Sequence, residues 1–318
     1  MKVLANDGIS KSGIDHLESN GFTVITSKVD QENLVEYINN ENIEVILVRS
    51  ATQVRKDIID NCPSIKIIGR GGVGMDNIDV AYAKDKGLLV INTPAASSQS
   101  VAELVMAHLF NISRFVYDSN REMPNNGHVD FKALKKKYAK GTELRGKTIG
   151  IIGFGRMGQF TAKYALGAGM KVAAFDPFIE SADLDIEIAD QSLTVNVKTQ
   201  SLEDLLSNSD YISLHVPMPS DGKAVLSANE FNKMKDGVRI VNAARGGVID
   251  EDDLISAIKN SKVAAAALDV FVGEPSPRKD LLSMEKISLT PHIGAATNEA
   301  QDRIGIELAD KIIAFYNQ

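Results

Sequence analysis

The sequence predicts an α/β protein built on doubly wound parallel sheets, and three observations carry that expectation. Short apolar runs alternate with amphipathic stretches along most of the chain, which is the pattern of βα units. One of those runs breaks at Gly153-Phe154-Gly155-Arg156-Met157-Gly158 and gives way to a helical pattern. A length of 318 residues exceeds one ordinary core and implies about two domains.

Residues 1 to 92 repeat the βα rhythm: Val3-Leu4-Ala5, then Ile14 and Leu17; Thr23-Val24-Ile25, then Leu34, Tyr37 and Ile38; Val45-Ile46-Leu47-Val48, then Ile58 and Ile59; Ile65 to Ile68; Leu88 to Ile91. A single long helix is expected from Gln99 to Arg121, because Val101, Leu104, Val105, Leu109, Ile112, Phe115 and Val116 recur on one face. His108 lies within it as a packing or surface residue. Asn125-Asn126-Gly127 and the basic run Lys132 to Lys140 read as a polar connection and a solvated loop. The second half resumes with strands at Thr148–Ile152, Lys171–Phe175, Tyr211–Leu214, Val238–Val241, Val263–Leu268 and Ile287–Leu289. Helices are expected near Leu202–Leu206, Ser227–Met234, Asp252–Lys259 and Ala296–Tyr316.

Bulk properties narrow the function classes. Hydrophobic residues make up 44% and charged residues 24%, as in a soluble globular protein, and no apolar run approaches a membrane helix. The start lacks a signal-peptide core, so a cytoplasmic protein is expected. A net charge of −7 disfavours nucleic acid and anionic membranes. The single cysteine, Cys62, reads as a buried structural thiol, and the five histidines show no metal-ligand spacing, so no metal is expected.

The glycine turn points to chemistry. Gly153 permits the tight turn, Gly155 lets backbone touch a diphosphate, and Gly158 lets helix and strand pack closely, with the diphosphate on the first N–H groups of the helix. A second strand follows and ends in Asp176, about 20 residues on, where an acid meets ribose hydroxyls in dinucleotide sites. In such sheets ligands gather beyond the carboxyl ends of the strands. Four polar clusters fall at predicted strand ends: His215-Val216-Pro217, Ala243-Ala244-Arg245-Gly246-Gly247, Asp269 through Glu274-Pro275, and Pro291-His292-Ile293-Gly294. Each alone reads as a turn or surface feature; four on one sheet edge with a glycine motif point to a shared site.

These residues resemble the D-isomer-specific 2-hydroxyacid dehydrogenase family from end to end. The resemblance rests on Gly69-Arg70-Gly71-Gly72-Val73-Gly74-Met75-Asp76-Asn77-Ile78-Asp79, Ser100-Val101-Ala102-Glu103, the GFGRMG turn, Asn242 to Gly247, Asp269 to Pro275 and Pro291 to Ala296. Leu47 to Thr52 and Gly141 to Leu144 look most like the branch that oxidises D-3-phosphoglycerate to 3-phosphohydroxypyruvate in serine biosynthesis. The resemblance implies two Rossmann-like or flavodoxin-like parallel-sheet domains, with the cofactor domain inserted into the substrate domain. Residues 1–96 and the C-terminal helix 292–318 would form the substrate domain and 97–291 the NAD-binding Rossmann domain. It implies that His292 is the general acid/base, that Glu274 orients it and that Arg245 holds the substrate carboxylate. NAD would lie against Val101, the glycine turn with Arg156 and Met157, Asp176, His215, Val216, Pro217, Ala243, Ala244, Asp269 and Gly294. The substrate side would draw on Arg49, Ser50, Arg70, Gly72, Val73, Gly74 and Lys136, and a homodimer would form through the long helix and the loop after it.

Arg49 and Arg70 follow predicted strands, so both are expected at a carboxyl edge; a surface arginine and an internal ion pair are the alternatives. The chain departs from the family's longer members in ending after its closing helix, so serine feedback is not expected. It has no Trp, and Leu134 or a neighbour is expected to take the place of an aromatic lid in the lysine-rich loop. Two other functions fit the same motifs. One is a glyoxylate or hydroxypyruvate reductase, which uses the same Arg, Glu and His without a phosphate site. The other is an NAD-sensing interaction protein resembling the C-terminal-binding corepressors.

Overall fold

Residues 1–317 are described by the structure, a computed structural model. They fall into two compact units, Met1–Ser100 together with the segment from Ala295, and Val101–Gly294. The first unit contains β1 (Lys2–Ala5), α1 (Lys11–Ser19), β2 (Thr23–Ile25), α2 (Leu34–Glu41), β3 (Val45–Val48), α3 (Lys56–Asn61), β4 (Ile67–Arg70), α4 (Val80–Asp85) and β5 (Leu89–Asn92). Its five strands pair in parallel in the order β2-β1-β3-β4-β5. Successive strand residues serve opposite faces: Leu4, Ile46, Val48 and Ile68 enter one core, and Val3, Ala5, Val45, Leu47 and Ile67 the other. Burial on both faces is why β3 reads as an unbroken apolar run. Strand order reverses between β1 and β3, which makes their carboxyl ends the place to look for a ligand in this unit.

The second unit opens within α5 (Ser98–Arg114) and continues through α6 (Val116–Asn126), α7 (Phe131–Lys137), β6 (Thr148–Ile152), α8 (Arg156–Gly167), β7 (Lys171–Phe175), β8 (Ser181–Ile188) and β9 (Gln191–Lys198). It is completed by α9 (Leu202–Asn208), β10 (Tyr211–Leu214), α10 (Ala228–Lys233), β11 (Val238–Asn242), α11 (Glu251–Lys259), β12 (Val263–Leu268), α12 (Lys279–Leu282) and β13 (Ile287–Leu289). Six strands pair in parallel in the order β13-β12-β11-β10-β6-β7. Order reverses at β6, so this unit's crevice lies beyond β6 and β10. The last helix, α13 (Asn298–Tyr316), returns to the first unit, where Ile304, Leu308 and Ile312 pack with Val3, Leu47 and Ile67.

Three expectations are corrected. The long helix from Gln99 to Arg121 is two helices, α5 and α6, separated by Phe115 in a left-handed conformation at φ 55. The reason is tertiary: the Ser113 carbonyl accepts the N–H of Thr142 at 2.9 Å instead of continuing the helix. The Ser113 hydroxyl lies 2.8 Å from the Tyr211 hydroxyl. The expected solvated loop from Lys132 to Lys140 is largely α7. Asp130 caps it by accepting from the Ala133 N–H at 3.0 Å, and Leu134 anchors it at 8% exposure, so Leu134 is a core contact and not a lid. Lys137 pairs with Asp118 at 3.4 Å and with Glu122. No strand is expected from the sequence between Asp176 and Tyr211, yet β8 and β9 form an antiparallel hairpin in register Leu184↔Val195. Its inner face buries Leu184 and Val197.

Candidate active site

In the second unit the glycine turn sits where β6 ends. Gly153 adopts φ 91, and a Cβ there would lie 2.6 Å from the carbonyl oxygen of His215, the residue after β10. A Cβ on Gly158 would come within 2.1 Å of the Gly153 carbonyl, so neither position accepts a side chain. Gly155 differs: a Cβ there meets nothing within 4 Å, so its space is open to a ligand. Gly155 also opens α8 with no side chain capping the first N–H groups. Unsatisfied N–H groups, the positive end of the helix dipole and an open approach together fit a diphosphate. Arg156 is exposed and Met157 half-buried beside it.

Asp176 directly follows β7 and reaches back to the turn. Its carboxylate accepts from the N–H of Phe154 at 2.8 Å and of Phe178 at 2.9 Å. It therefore fixes the loop as well as offering lone pairs to a ribose. His215 is half-buried with Val216, while Pro217 is exposed. Its Nε2 lies 2.9 Å from the Ser213 hydroxyl, and its Nδ1 is shielded with no partner among the described residues. Burial pushes the His215 imidazole down to about 4, so the ring is neutral near pH 7.

Beyond β11 and β12 the structure brings together the residues expected to do proton chemistry. Arg245 lies in the turn after β11. Asn242 shapes that turn, its amide donating to the Arg245 carbonyl at 3.0 Å while its side-chain oxygen accepts the Ala244 N–H at 3.0 Å. Asn242 is 2% exposed, and the sequence reading passed over this role. Gly246 lets the turn pass the next loop, since a Cβ there would sit 2.0 Å from the Phe271 carbonyl. Arg245 is half-buried, with Nη1 donating to the Ala244 carbonyl at 2.6 Å. Ala243 is half-buried and Ala244 buried in the same turn.

Glu274 and His292 are hydrogen-bonded, Nδ1 to Oε2 at 2.8 Å, their side chains 35% and 45% exposed. The second carboxylate oxygen of Glu274 accepts the Phe271 N–H at 2.8 Å, so the acid is aimed from below. Because a carboxylate only accepts, Nδ1 carries the hydrogen, and Nε2 is left for chemistry. His292 itself has φ 56, a left-handed conformation uncommon for a non-glycine residue. Asp269, 1% exposed, holds the loop that carries it. One carboxylate oxygen accepts the Thr290 hydroxyl at 2.6 Å and the Ile293 N–H at 2.8 Å; the other accepts the Gly294 N–H at 2.9 Å. The sequence had Asp269 only as a cofactor contact. Gly294 packs against Val101, whose Cγ2 would be 3.3 Å from a Cβ added there.

In the first unit, Asn6, Asp7, Gly8, Thr26, Lys28, Arg49, Ser50 and Ala51 line a cleft at the switch point between β1 and β3. Asp7 organises it, accepting the N–H groups of Arg49 at 2.7 Å and Thr52 at 3.0 Å and the Thr52 hydroxyl at 2.7 Å. Burial alone would raise its carboxyl, but those hydrogen bonds and the Lys28 charge outweigh burial and hold it below the usual carboxylate range. Lys28 stands 3.9 Å from Asp7; neither was singled out from the sequence, where an acid two residues after β1 was the available signal. Arg70 ends β4 beside β3, its Nε donating to the Arg49 carbonyl at 3.3 Å. Gly72, at φ 143, gives its N–H to the Arg70 carbonyl at 3.0 Å, and Asn92 holds the Val73 carbonyl at 2.8 Å. Gly74 is half-buried in the same loop. Lys136 is exposed on α7, in the other unit.

Residues 106–294 match the family model described as D-isomer specific 2-hydroxyacid dehydrogenase, NAD binding domain. A hydroxypyruvate reductase of Thermotoga maritima is 43% identical over 315 residues, covering 98% of this chain and 97% of that protein. A D-3-phosphoglycerate dehydrogenase of Archaeoglobus fulgidus is 41% identical over 315 residues, covering 98% of this chain but 57% of the relative, so the chain spans little more than half of that protein's length. Among solved structures, the NAD⁺-bound 3-phosphoglycerate dehydrogenase of Entamoeba histolytica superposes with a TM-score of 0.78 at 26% identity, covering 100% of this chain and 96% of that one. No helix among the described residues is long and apolar enough to cross a membrane. A family model spanning more than half the chain, near-complete coverage by relatives above 40% identity and the glycine-turn geometry agree: the chain belongs to the D-isomer-specific 2-hydroxyacid dehydrogenase family.

Proposed function

We propose that the protein is an NAD-dependent dehydrogenase of 2-hydroxy acids whose substrate is D-3-phosphoglycerate, oxidised to 3-phosphohydroxypyruvate in serine biosynthesis. The observation that carries the dehydrogenase reading is the Glu274–His292 pair at 2.8 Å, in a sheet whose loops after β11 and β12 carry Arg245 and Glu274 and whose β6 ends in an open glycine turn. Glu274 fixes the Nδ1–H, so Nε2 takes the substrate hydroxyl proton on oxidation and returns it on reduction. NAD, when bound, supplies the acceptor for the hydride that leaves C2. Arg245 holds the substrate carboxylate with its planar fork, and the glycine turn and Asp176 hold the diphosphate and adenosine ribose. Relatives 43% and 41% identical over nearly the whole chain bear the names of enzymes, which supports catalysis over an interaction role alone.

Asp176 sets the choice between NAD and NADP at the adenosine ribose. A carboxylate accepts from ribose hydroxyls and repels a 2′-phosphate, and Pro177, Phe178 and Ile179 supply no positive charge after it. NAD should be preferred to NADP. Asp176→Ala should lower kcat/KM for NAD by about tenfold or more and raise the relative use of NADP. Equal kcat/KM for the two cofactors in the wild type would remove Asp176 from this role.

The phosphate is assigned to Arg49, supported by its place in a cleft that also holds Lys28, in a protein whose net charge of −7 offers a dianion no general attraction. Loss of one charge-assisted contact costs roughly 1.5–3 kcal/mol, so Arg49→Ala should lower kcat/KM for D-3-phosphoglycerate by about 10- to 100-fold. Activity on glyoxylate, which has no phosphate, should stay within about threefold of wild type. Equal loss on both substrates would make Arg49 a structural residue. A second reading, hydroxypyruvate reductase, is favoured by the Thermotoga maritima relative, which this chain covers over 97% of its length. A wild type that prefers hydroxypyruvate to its phosphorylated form would establish that reading and displace the first.

We place the enzyme in the cytoplasm as a homodimer. The assembly is supported by apolar side chains left exposed on and between α5, α6 and α7: Phe110 at 50%, Val116 at 49%, Met123 at 43%, Val129 at 73% and Phe131 at 59%. Sedimentation should give twice the 34.4 kDa chain mass, and Phe131→Glu should shift it toward monomer. A wild type that sediments as a monomer at micromolar concentration would exclude the dimer.

A further inference from the structure

Behind the loop that carries His292 runs a chain of hydrogen bonds with a fixed direction. Asp269 accepts the Thr290 hydroxyl at 2.6 Å, and a carboxylate can only accept, so Thr290 commits its one proton there. Thr290 Oγ1 then has only lone pairs for its second partner, His108 Nε2 at 3.0 Å. His108 must donate from Nε2. The ring is 1% exposed and burial lowers its pKa, partly offset by the Asp269 charge, so it is neutral near pH 7. Its Nδ1 therefore accepts from the Ser288 hydroxyl at 3.2 Å. Ser288 is itself 3% exposed. A histidine kept only for packing does not require this match of donor to acceptor along Ser288, His108, Thr290 and Asp269.

The far end of the chain explains what the match does. Asp269 uses both oxygens on the N–H groups of Ile293 and Gly294, and the Thr290 carbonyl accepts the His292 N–H at 3.1 Å. These contacts hold His292 at φ 56, a left-handed conformation uncommon for a non-glycine residue. We propose that His108 is a positioning residue for the reaction, acting through Thr290 and Asp269 to hold the 290–294 loop so that His292 presents Nε2 in one place. The proposal rests on the reading of His292 as the proton relay. It extends that reading to a buried side chain on α5 bonded to Ser288 and Thr290. A displacement of about 1 Å at a reacting group lowers rates by up to about 10²-fold, so the chain controls kcat more than binding.

The test combines a spectroscopic and a kinetic readout on the full-length enzyme. In ¹⁵N-histidine-labelled protein at pH 7, the resonance lost in His108→Gln should report a neutral ring protonated at Nε2; an Nδ1–H tautomer or an imidazolium would overturn the directed chain. His108→Leu should lower kcat by about 10- to 100-fold with KM for NAD within about twofold of wild type. His108→Gln keeps a donor and an acceptor and should return kcat to within about fivefold of wild type at a melting temperature matching His108→Leu. A folded His108→Leu enzyme with wild-type kcat, or a His108→Gln enzyme as slow as His108→Leu, would overturn the proposal. If His108→Leu does not fold, the tautomer and the kcat of His108→Gln decide. His292→Ala in parallel separates the two claims: wild-type turnover there sinks the proton-relay reading, whereas its loss beside an undiminished His108→Leu sinks only the positioning role.

Discussion

His292→Ala should lower kcat by about 10²- to 10⁴-fold while NADH binding, measured by fluorescence titration, changes by less than about threefold. The asymmetry follows from where the side chain is held. Nδ1 is taken by Glu274 at 2.8 Å, and the backbone is fixed by Asp269 and Thr290, so removing the imidazole removes the proposed proton carrier and leaves the surrounding loop bonded. Two other imidazoles of this unit are otherwise held: His108 is buried in its own chain of contacts, and His215 is kept neutral at a β-strand end with burial pushing it down to about 4. Glu274→Gln is the companion. It can still bond the ring but carries no charge to stabilise the imidazolium, and kcat should fall by about 10²-fold with little change in KM. Turnover of His292→Ala at the wild-type rate would remove the pair from the mechanism.

Arg245→Gln should lower kcat/KM by about 10²- to 10³-fold, the second large effect. An arginine presents its donors in a rigid plane that matches a carboxylate with two parallel hydrogen bonds, and substitution leaves the substrate's charge unpaired in the site. That combination costs roughly 3–4 kcal/mol. Arg245→Lys should recover little, because a point charge on a flexible stem cannot reproduce the fork. The turn around it is built by Asn242 and Gly246, so Asn242→Ala should weaken the same step through Arg245 while leaving the side chain present. A loss confined to KM for NAD, with substrate kinetics untouched, would reassign Arg245 to the cofactor.

The parts of this fold that were legible in the sequence are those whose causes are local. Both parallel sheets follow from apolar runs buried on two faces, as in β3 and β10, where every residue is buried. The glycine turn was readable because a φ of 91 at Gly153 and the close approach at Gly158 exclude any side chain. The break at Phe115 was not readable, since its cause is a Thr142 N–H that arrives from beyond two further helices. The β8–β9 hairpin hid for another reason. Its period-2 alternation, Ala182, Leu184, Ile186 and Ile188, is in the sequence, but Ala189 turns the chain at φ 55, where glycine or asparagine is the usual signal. In the candidate site, Arg245, Glu274 and His292 were visible as strand-end residues, while the support beneath them was not. His108 and Thr290 are separated by 182 residues, and only the folded sheet shows that one serves the other.

The central claim is that this chain oxidises the hydroxyl of a D-2-hydroxy acid with NAD and prefers the phosphorylated substrate. The most direct measurement is the initial rate of NADH formation with NAD⁺ and D-3-phosphoglycerate, D-glycerate, L-glycerate and L-lactate. The account predicts turnover of the D-acids alone, with kcat/KM for D-3-phosphoglycerate at least about tenfold above that for D-glycerate. Equal or faster oxidation of an L-acid, or no NADH from either D-acid, would contradict it.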